Sequence, residues 1–242
     1  MEQTLAEARE HATPAAGPRR LPRGPRHDLY ALIHKALRLA MIDVLGRLGR
    51  LDTGDDDARA AALSVRELLG LCRMHLDKEE QFVHPALDAA VPGSAGRTAR
   101  EHDDHLRALE RLEAGVRSLE CSAPTARAAA GARLYRDLAL FIAENFVHMH
   151  GEEVDNNAVL WASYDDEEIA AIERRIVGSI APEQMSGVLR WMAPAMTPAE
   201  RGRFFAQLRG KLPPPVFAGV MNEVLATLDA AEKQKLLRAL AC

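Results

Sequence analysis

The sequence predicts an all-α protein, an up-down-up-down four-helix bundle followed by additional C-terminal helices. Three observations carry this. Four long stretches repeat apolar residues every three to four positions, short loops join them, and a His-x-x-x-Glu-Glu pattern occurs twice, at His75–Glu80 and His148–Glu153.

The elements follow in order. Residues 1–26 are rich in Ala, Pro, Gly and Arg, end in RRLPRGPR and carry no apolar period, so a flexible N-terminal tail is expected. From Asp28 to Arg50, Tyr30, His34, Leu37, Met41, Leu45 and Leu48 form one stripe, which turns His34 inward before the loop GDDDARA. Ser64 as N-cap with Glu67 in the capping-box position predicts the start of a second helix. Its stripe is Leu68, Cys72, His75, Glu79, Val83 and Leu87, and it stops at PGSAG. The third helix, 97–120, carries His102, His105, Leu109, Leu112, Val116 and Leu119. After CSAPT, the fourth, 126–162, aligns Leu134, Leu138, Phe141, Asn145, His148, Glu152, Val159 and Leu160. Residues 27–162 would form the bundle. Residues 163–242 read as shorter helices, one opening at Thr197-Pro198 and another following LPPPV, with Trp191, Met192, Phe204, Phe205 and Phe217 available for packing on the bundle or on another subunit.

Bulk properties narrow the function. The 31 basic and 35 acidic residues give a net charge of -4, which offers no general attraction to nucleic acid or to an anionic membrane. No apolar run has transmembrane length, and the acidic N-terminus lacks a leader pattern, so a cytoplasmic protein is expected. Cys72, Cys121 and Cys242 are too scattered for a disulfide framework or a thiolate zinc site. No phosphate loop, nucleophile elbow or zinc-protease signature is present.

Seven of the nine histidines lie between His34 and His150. On a helix, residues four apart sit about 5–6 Å from each other on one face, so His75 with Glu79 and His148 with Glu152 each make half of a metal site. A single inward histidine is commonly just a hydrogen-bonded core residue. Here four helices each bury an imidazole and two of them add a carboxylate, an expensive arrangement that metal coordination compensates. The inferred ligands are His34, His75, Glu79, His102, His148 and Glu152. Four imidazoles and two carboxylates suit a pair of first-row transition ions better than magnesium, calcium or structural zinc. Each ion would take two histidines, with the carboxylates bridging and positions left open for a small molecule. His105 shares the stripe of His102 and could replace or join it, the phase of the following leucines favouring His102. His84, five residues past Glu79, is expected off the metal face, in an outer or surface role. His150 should face away. Glu80 and Glu153 would be outer or solvated, and Tyr30 and Cys72 core residues near the metal.

The stretches IHKALR, HLDKEEQFVHPAL, EHDDHLRAL and HMHGEEV resemble the hemerythrin-like, or HHE cation-binding, family over about residues 27–162. The resemblance implies a non-heme di-iron centre able to bind dioxygen, nitric oxide or peroxide, with manganese or zinc as possible substitutes. Oxygen-carrying hemerythrins have an HxxxH pair on the third helix and a final Asp, where this chain has Glu101 to His105 and Glu152. It is closer to the bacterial branch with two HxxxE helices, whose roles include sensing, redox chemistry and iron handling. Three readings follow: a sensor or detoxifier of a small oxidant, an iron-responsive adaptor whose C-terminal helices recruit a protein partner or a second copy, and a metal-free helical interaction protein.

Overall fold

The computed structural model describes residues 26–52 and 55–241, and the expected tail, apart from Arg26, lies outside them, as does Cys242. Helix α1 (Ala31–Gly49) is followed by α2 (Asp55–Lys78), which runs through a five-residue π-helical segment, Glu79–Val83, into α3 (His84–Ala90). Helix α4 (Gly96–Cys121) leads to α5 (Pro124–Gly151), which passes through a second π segment, Glu152–Asn156, into α6 (Asn157–Ser163). Helix α1 packs on α2, α2 on α4, α4 on α5 and α5 on α1, so four sequential rods close the expected bundle.

The second rod starts earlier than its capping pattern suggests. Ser64 is not an N-cap, because its hydroxyl donates to the Ala60 carbonyl inside a helix already formed from Asp55. Asp56 and Asp57 in the first turn favour the positive helix end, and the alanine-rich segment after them has the highest helix propensity. The capping pair at Ser64 and Glu67 was therefore overruled by a longer helix.

Five shorter helices follow: α7 (Asp166–Gly178), α8 (Pro182–Ala195), α9 (Pro198–Lys211), α10 (Pro214–Thr227) and α11 (Ala230–Ala241). Their first residues recur every sixteen positions, which makes this region a helical repeat. Thr197 and Glu200 form the capping box at the start of α9, and prolines occupy the first turns of α8, α9 and α10. LPPPV therefore ends one helix and begins the next.

Helix α8 has two apolar faces. Val188, with Met185, Trp191 and Met192, packs against the bundle core of α1, α2, α4 and α5, whereas Leu189 and Ala193 join Phe205, Met221, Val224, Leu228 and Leu236 in a separate core. A third cluster of Tyr30, Val83, Leu87, Ala95, Leu160 and Ile169 closes the end of the bundle beyond the π segments, under α7. Arg26, placed with the tail by composition, pairs with Asp166 at 2.7 Å and donates to the carbonyls of Trp161 and Tyr164. None of the described helices is long and apolar enough to cross a membrane.

Arg201 is buried inside the C-terminal repeat, where its guanidinium donates to the carbonyls of Ala193 and Met196 and to Glu232. Arg201→Ala orphans two carbonyls, and about 2–4 kcal/mol of stability should be lost. Hydrogen exchange should show the loss in α8–α11, with exchange in α2 and α4 unchanged.

Candidate metal centre

The six sequence-predicted ligands converge at the centre of the bundle. All six, His34, His75, Glu79, His102, His148 and Glu152, are buried. Two overlapping groups, His34, His75, Glu79, Glu152 and Glu79, His102, His148, Glu152, each bring four donor atoms within 4.8 Å of one another. The two halves of the sequence thus supply two histidines each and share both carboxylates.

In the first group, His34 Nε2 lies 3.8 Å from Glu79 Oε1 and 3.4 Å from Glu152 Oε2, and His75 Nε2 lies 3.4 Å from Glu79 Oε1. Opposite them, His102 Nε2 is 3.4 Å from Glu79 Oε2 and 3.7 Å from Glu152 Oε1, and His148 Nε2 is 3.3 Å from Glu152 Oε2. Glu79 therefore turns one oxygen to each half. Donors bound at about 2.1 Å to one ion in tetrahedral or octahedral geometry stand about 3.0–3.4 Å apart, close to several of these separations. All four Nε2 atoms, Glu79 Oε2 and both oxygens of Glu152 are buried without a hydrogen-bond partner. So many inward lone pairs left unmatched fit a transition ion and fit an apolar core poorly.

The outward ring nitrogens are held. His34 Nδ1 donates to Glu153 at 3.0 Å, His102 Nδ1 to Glu80 at 3.3 Å and His148 Nδ1 to Glu101 at 2.7 Å. A carboxylate only accepts, so each of these rings keeps its hydrogen on Nδ1 and presents Nε2 to the centre. The second glutamate of each repeat supports a histidine of the other half, Glu80 serving His102 and Glu153 serving His34. Arg38 clamps Glu153 with two bonds, and Arg97 pairs with Glu101 and Asp155. Glu101 and these arginines were missed in the sequence, although Arg38 lies one turn past His34 and Arg97 one turn before Glu101.

Both π segments begin at a central carboxylate, Glu79 or Glu152. This corrects the placement of His84. In a regular helix five residues turn about 500°, which would leave His84 about 140° from Glu79. A π turn absorbs one extra residue, so the offset falls to about 40°. His84 is accordingly buried, its ring stacked on His102 with centroids 4.7 Å apart. The surface placement is therefore corrected, the ring lying inside the bundle beside His102. His105 is buried edge-on to His148 at 4.8 Å but belongs to neither four-residue group, whereas His102 belongs to the second. His150 is exposed, as expected. Cys72 is core, its thiol pushed up to about 12 by burial, and Tyr30 is buried with its ring 5.2 Å from His34 and its hydroxyl accepting from the Asn156 amide.

Charge is unevenly divided. Burial lowers His75 to about 4 and His148 to about 3, so both rings are neutral. Burial also works against charge on His34 and His102, yet Glu153, Glu79 and Glu152 lift His34 to about 9, and Glu152 with Glu79 lifts His102 to about 10. Burial and the neighbouring charge of Glu79 push Glu152 up to about 8, while Glu79, despite burial, is held well below the usual range by His75, His102 and His34. Without an ion, protons on His34, His102 and Glu152 balance the cluster.

A buried, carboxylate-linked set of imidazoles inside four antiparallel rods defines a metal-binding helical-bundle protein. The hemerythrin HHE cation binding domain profile matches residues 27–155, more than half of the chain, and the chain belongs to that family. Neither the curated proteins nor the solved structures contain a match to it.

Two outcomes are expected. Glu101→Gln and Glu153→Gln should each weaken metal affinity about 10–100-fold in equilibrium titrations while thermal stability changes little. Metal must displace protons from His34, His102 and Glu152, so apparent affinity should climb as pH rises from 6 towards 9, and calorimetry in buffers of different ionisation enthalpy should record proton release.

Proposed function

We propose that this chain is a non-heme di-iron protein that binds or reduces a small oxidant (dioxygen, peroxide or nitric oxide) and acts as its sensor or detoxifier. One observation carries the reading: two four-residue donor groups share Glu79 and Glu152. His34, His75, Glu79 and Glu152 would hold one ion, and His102, His148, Glu79 and Glu152 the other. Two nitrogens and two oxygens per ion favour iron, with manganese or zinc tolerated, and leave positions open for a diatomic or peroxide ligand. When bound, the iron pair supplies electrons and open coordination sites.

The chain's own residues do the rest. Glu153, Glu80 and Glu101 fix three imidazoles by their Nδ1 hydrogens, and burial of all six inward side chains limits water. Residues 27–162 would do the chemistry, and the helices of 163–242 would serve contacts with a partner or a second copy. Scattered thiols agree with a reducing cytoplasm.

A second reading, an iron-responsive adaptor, draws on α1. That helix presents His34 and Arg38 to the site, packs on α8, and places Lys35 2.7 Å from Glu200 of α9. On this reading chelation would loosen α8–α11 without any turnover.

Anaerobically iron-loaded protein, then exposed to air, should hold about two irons per chain and show a charge-transfer absorption that shifts with azide, peroxide or nitric oxide. An iron-loaded spectrum indifferent to all three contradicts the oxidant reading. Glu152→Gln should lose at least one iron per chain, since it serves both groups, whereas His75→Ala should empty mainly the first.

A further inference from the structure

The geometry points to Asn157 as a positioning residue that holds the second π turn and so keeps Glu152 in the place where both donor groups share it. The inference rests on the metal-site reading above and adds what fixes that carboxylate. In each π turn one carbonyl is passed over. The His84 amide donates to the Glu79 carbonyl, five residues back, and the Asn157 amide to those of Glu152, also five back, and Val154, which skips the carbonyls of Glu80 and Glu153.

The two halves hold their turns differently. Counted from His75 and His148, His84 corresponds to Asn157 and Pro85 to Ala158. Pro85 has no N–H, and in a regular helix its ring would clash with the carbonyl four residues back, so the first turn resists rewinding by itself. Ala158 sets no such barrier. There the Asn157 side chain takes over, its Nδ2 donating to the skipped Glu153 carbonyl at 3.1 Å, while Asn156, the last residue of the turn, donates to the Tyr30 hydroxyl at 3.2 Å. The hold matters because Glu152 in the centre and Leu160 in the cluster under α7 are both fully buried. Eight residues of regular helix turn about 800°, which sets these two about 80° apart, and a π turn that absorbs one residue cuts the offset to about 20°. Rewound to regular helix, the segment could keep only one of them inside.

Titration of the metal-free full chain with Co2+ tests this, because the visible absorption of the bound ion reports its ligands. Asn157→Ala should bind Co2+ about tenfold more weakly and with an altered spectrum. Ala158→Pro added to Asn157→Ala copies the hold of the first turn and should restore both. Ala158→Pro alone should leave affinity and spectrum unchanged, although proline would break a regular helix there. An asparagine with a merely structural role would lower thermal stability and leave the spectrum as it was. That result, a double variant that fails to recover, or disruption by Ala158→Pro alone overturns the assignment while the metal site stands. If Asn157→Ala does not fold, recovery of fold and spectrum in the double variant supports the assignment and failure to recover overturns it. An unaltered chain that binds no Co2+ overturns both this and the metal site.

Discussion

Two carboxylates buried in the middle of an apolar bundle are the constraint on which this structure depends. An ion of that kind taken from water into a low-dielectric interior loses several kcal/mol even after relaxation, and two side by side repel each other. Glu79 and Glu152 are both buried and lie within reach of the same histidines. Only positive charge placed between them stabilises such a pair. Four imidazoles projected from four different helices, together with protons or metal ions, supply it. The bundle is therefore organised around its polar centre as much as around its leucines.

The outer carboxylates extend this logic from the centre to the fold. Glu80 and Glu153 each reach across to a histidine of the opposite half, so neither half-site is completed by its own repeat. Arg38 ties Glu153 back to α1, and Arg97 occupies the space over Gly151, where an added Cβ would come within 2.6 Å of its guanidinium. Glycine at that position leaves room for the arginine that orients Glu101, and through it His148. Small features of this kind decide where the Nε2 lone pairs point.

Much of this was legible in the sequence because helical periodicity is a strong signal over stretches of twenty or more residues. His34, His75, Glu79, His102, His148 and Glu152 fell on the apolar stripes, and the structure brings those six together. What failed was local. Ser64 looked like a cap, but alanine-rich sequence carried the helix through it. His84 was mis-phased because a π turn leaves no mark in residue spacing, and the crossed partners of Glu80 and Glu153 depend on how the rods face one another. The sixteen-residue recurrence of α7–α11 was present in the prolines that open α8, α9 and α10 and in apolar columns such as Ile172, Val188, Phe204, Val220 and Leu236, a period longer than the helical one that the stripes follow. The C-terminal helices could be recognised as helices, whereas their division between the bundle core and a second core required the fold.

X-ray absorption at the iron edge of the iron-loaded chain tests the shared-carboxylate centre most directly. The account predicts first-shell nitrogen and oxygen at about 2.1 Å, outer scattering from imidazole rings, and an iron–iron vector at about 3.5 Å, the spacing of carboxylate-bridged metal pairs. Iron bound without any iron–iron vector, or without imidazole scattering, would contradict it.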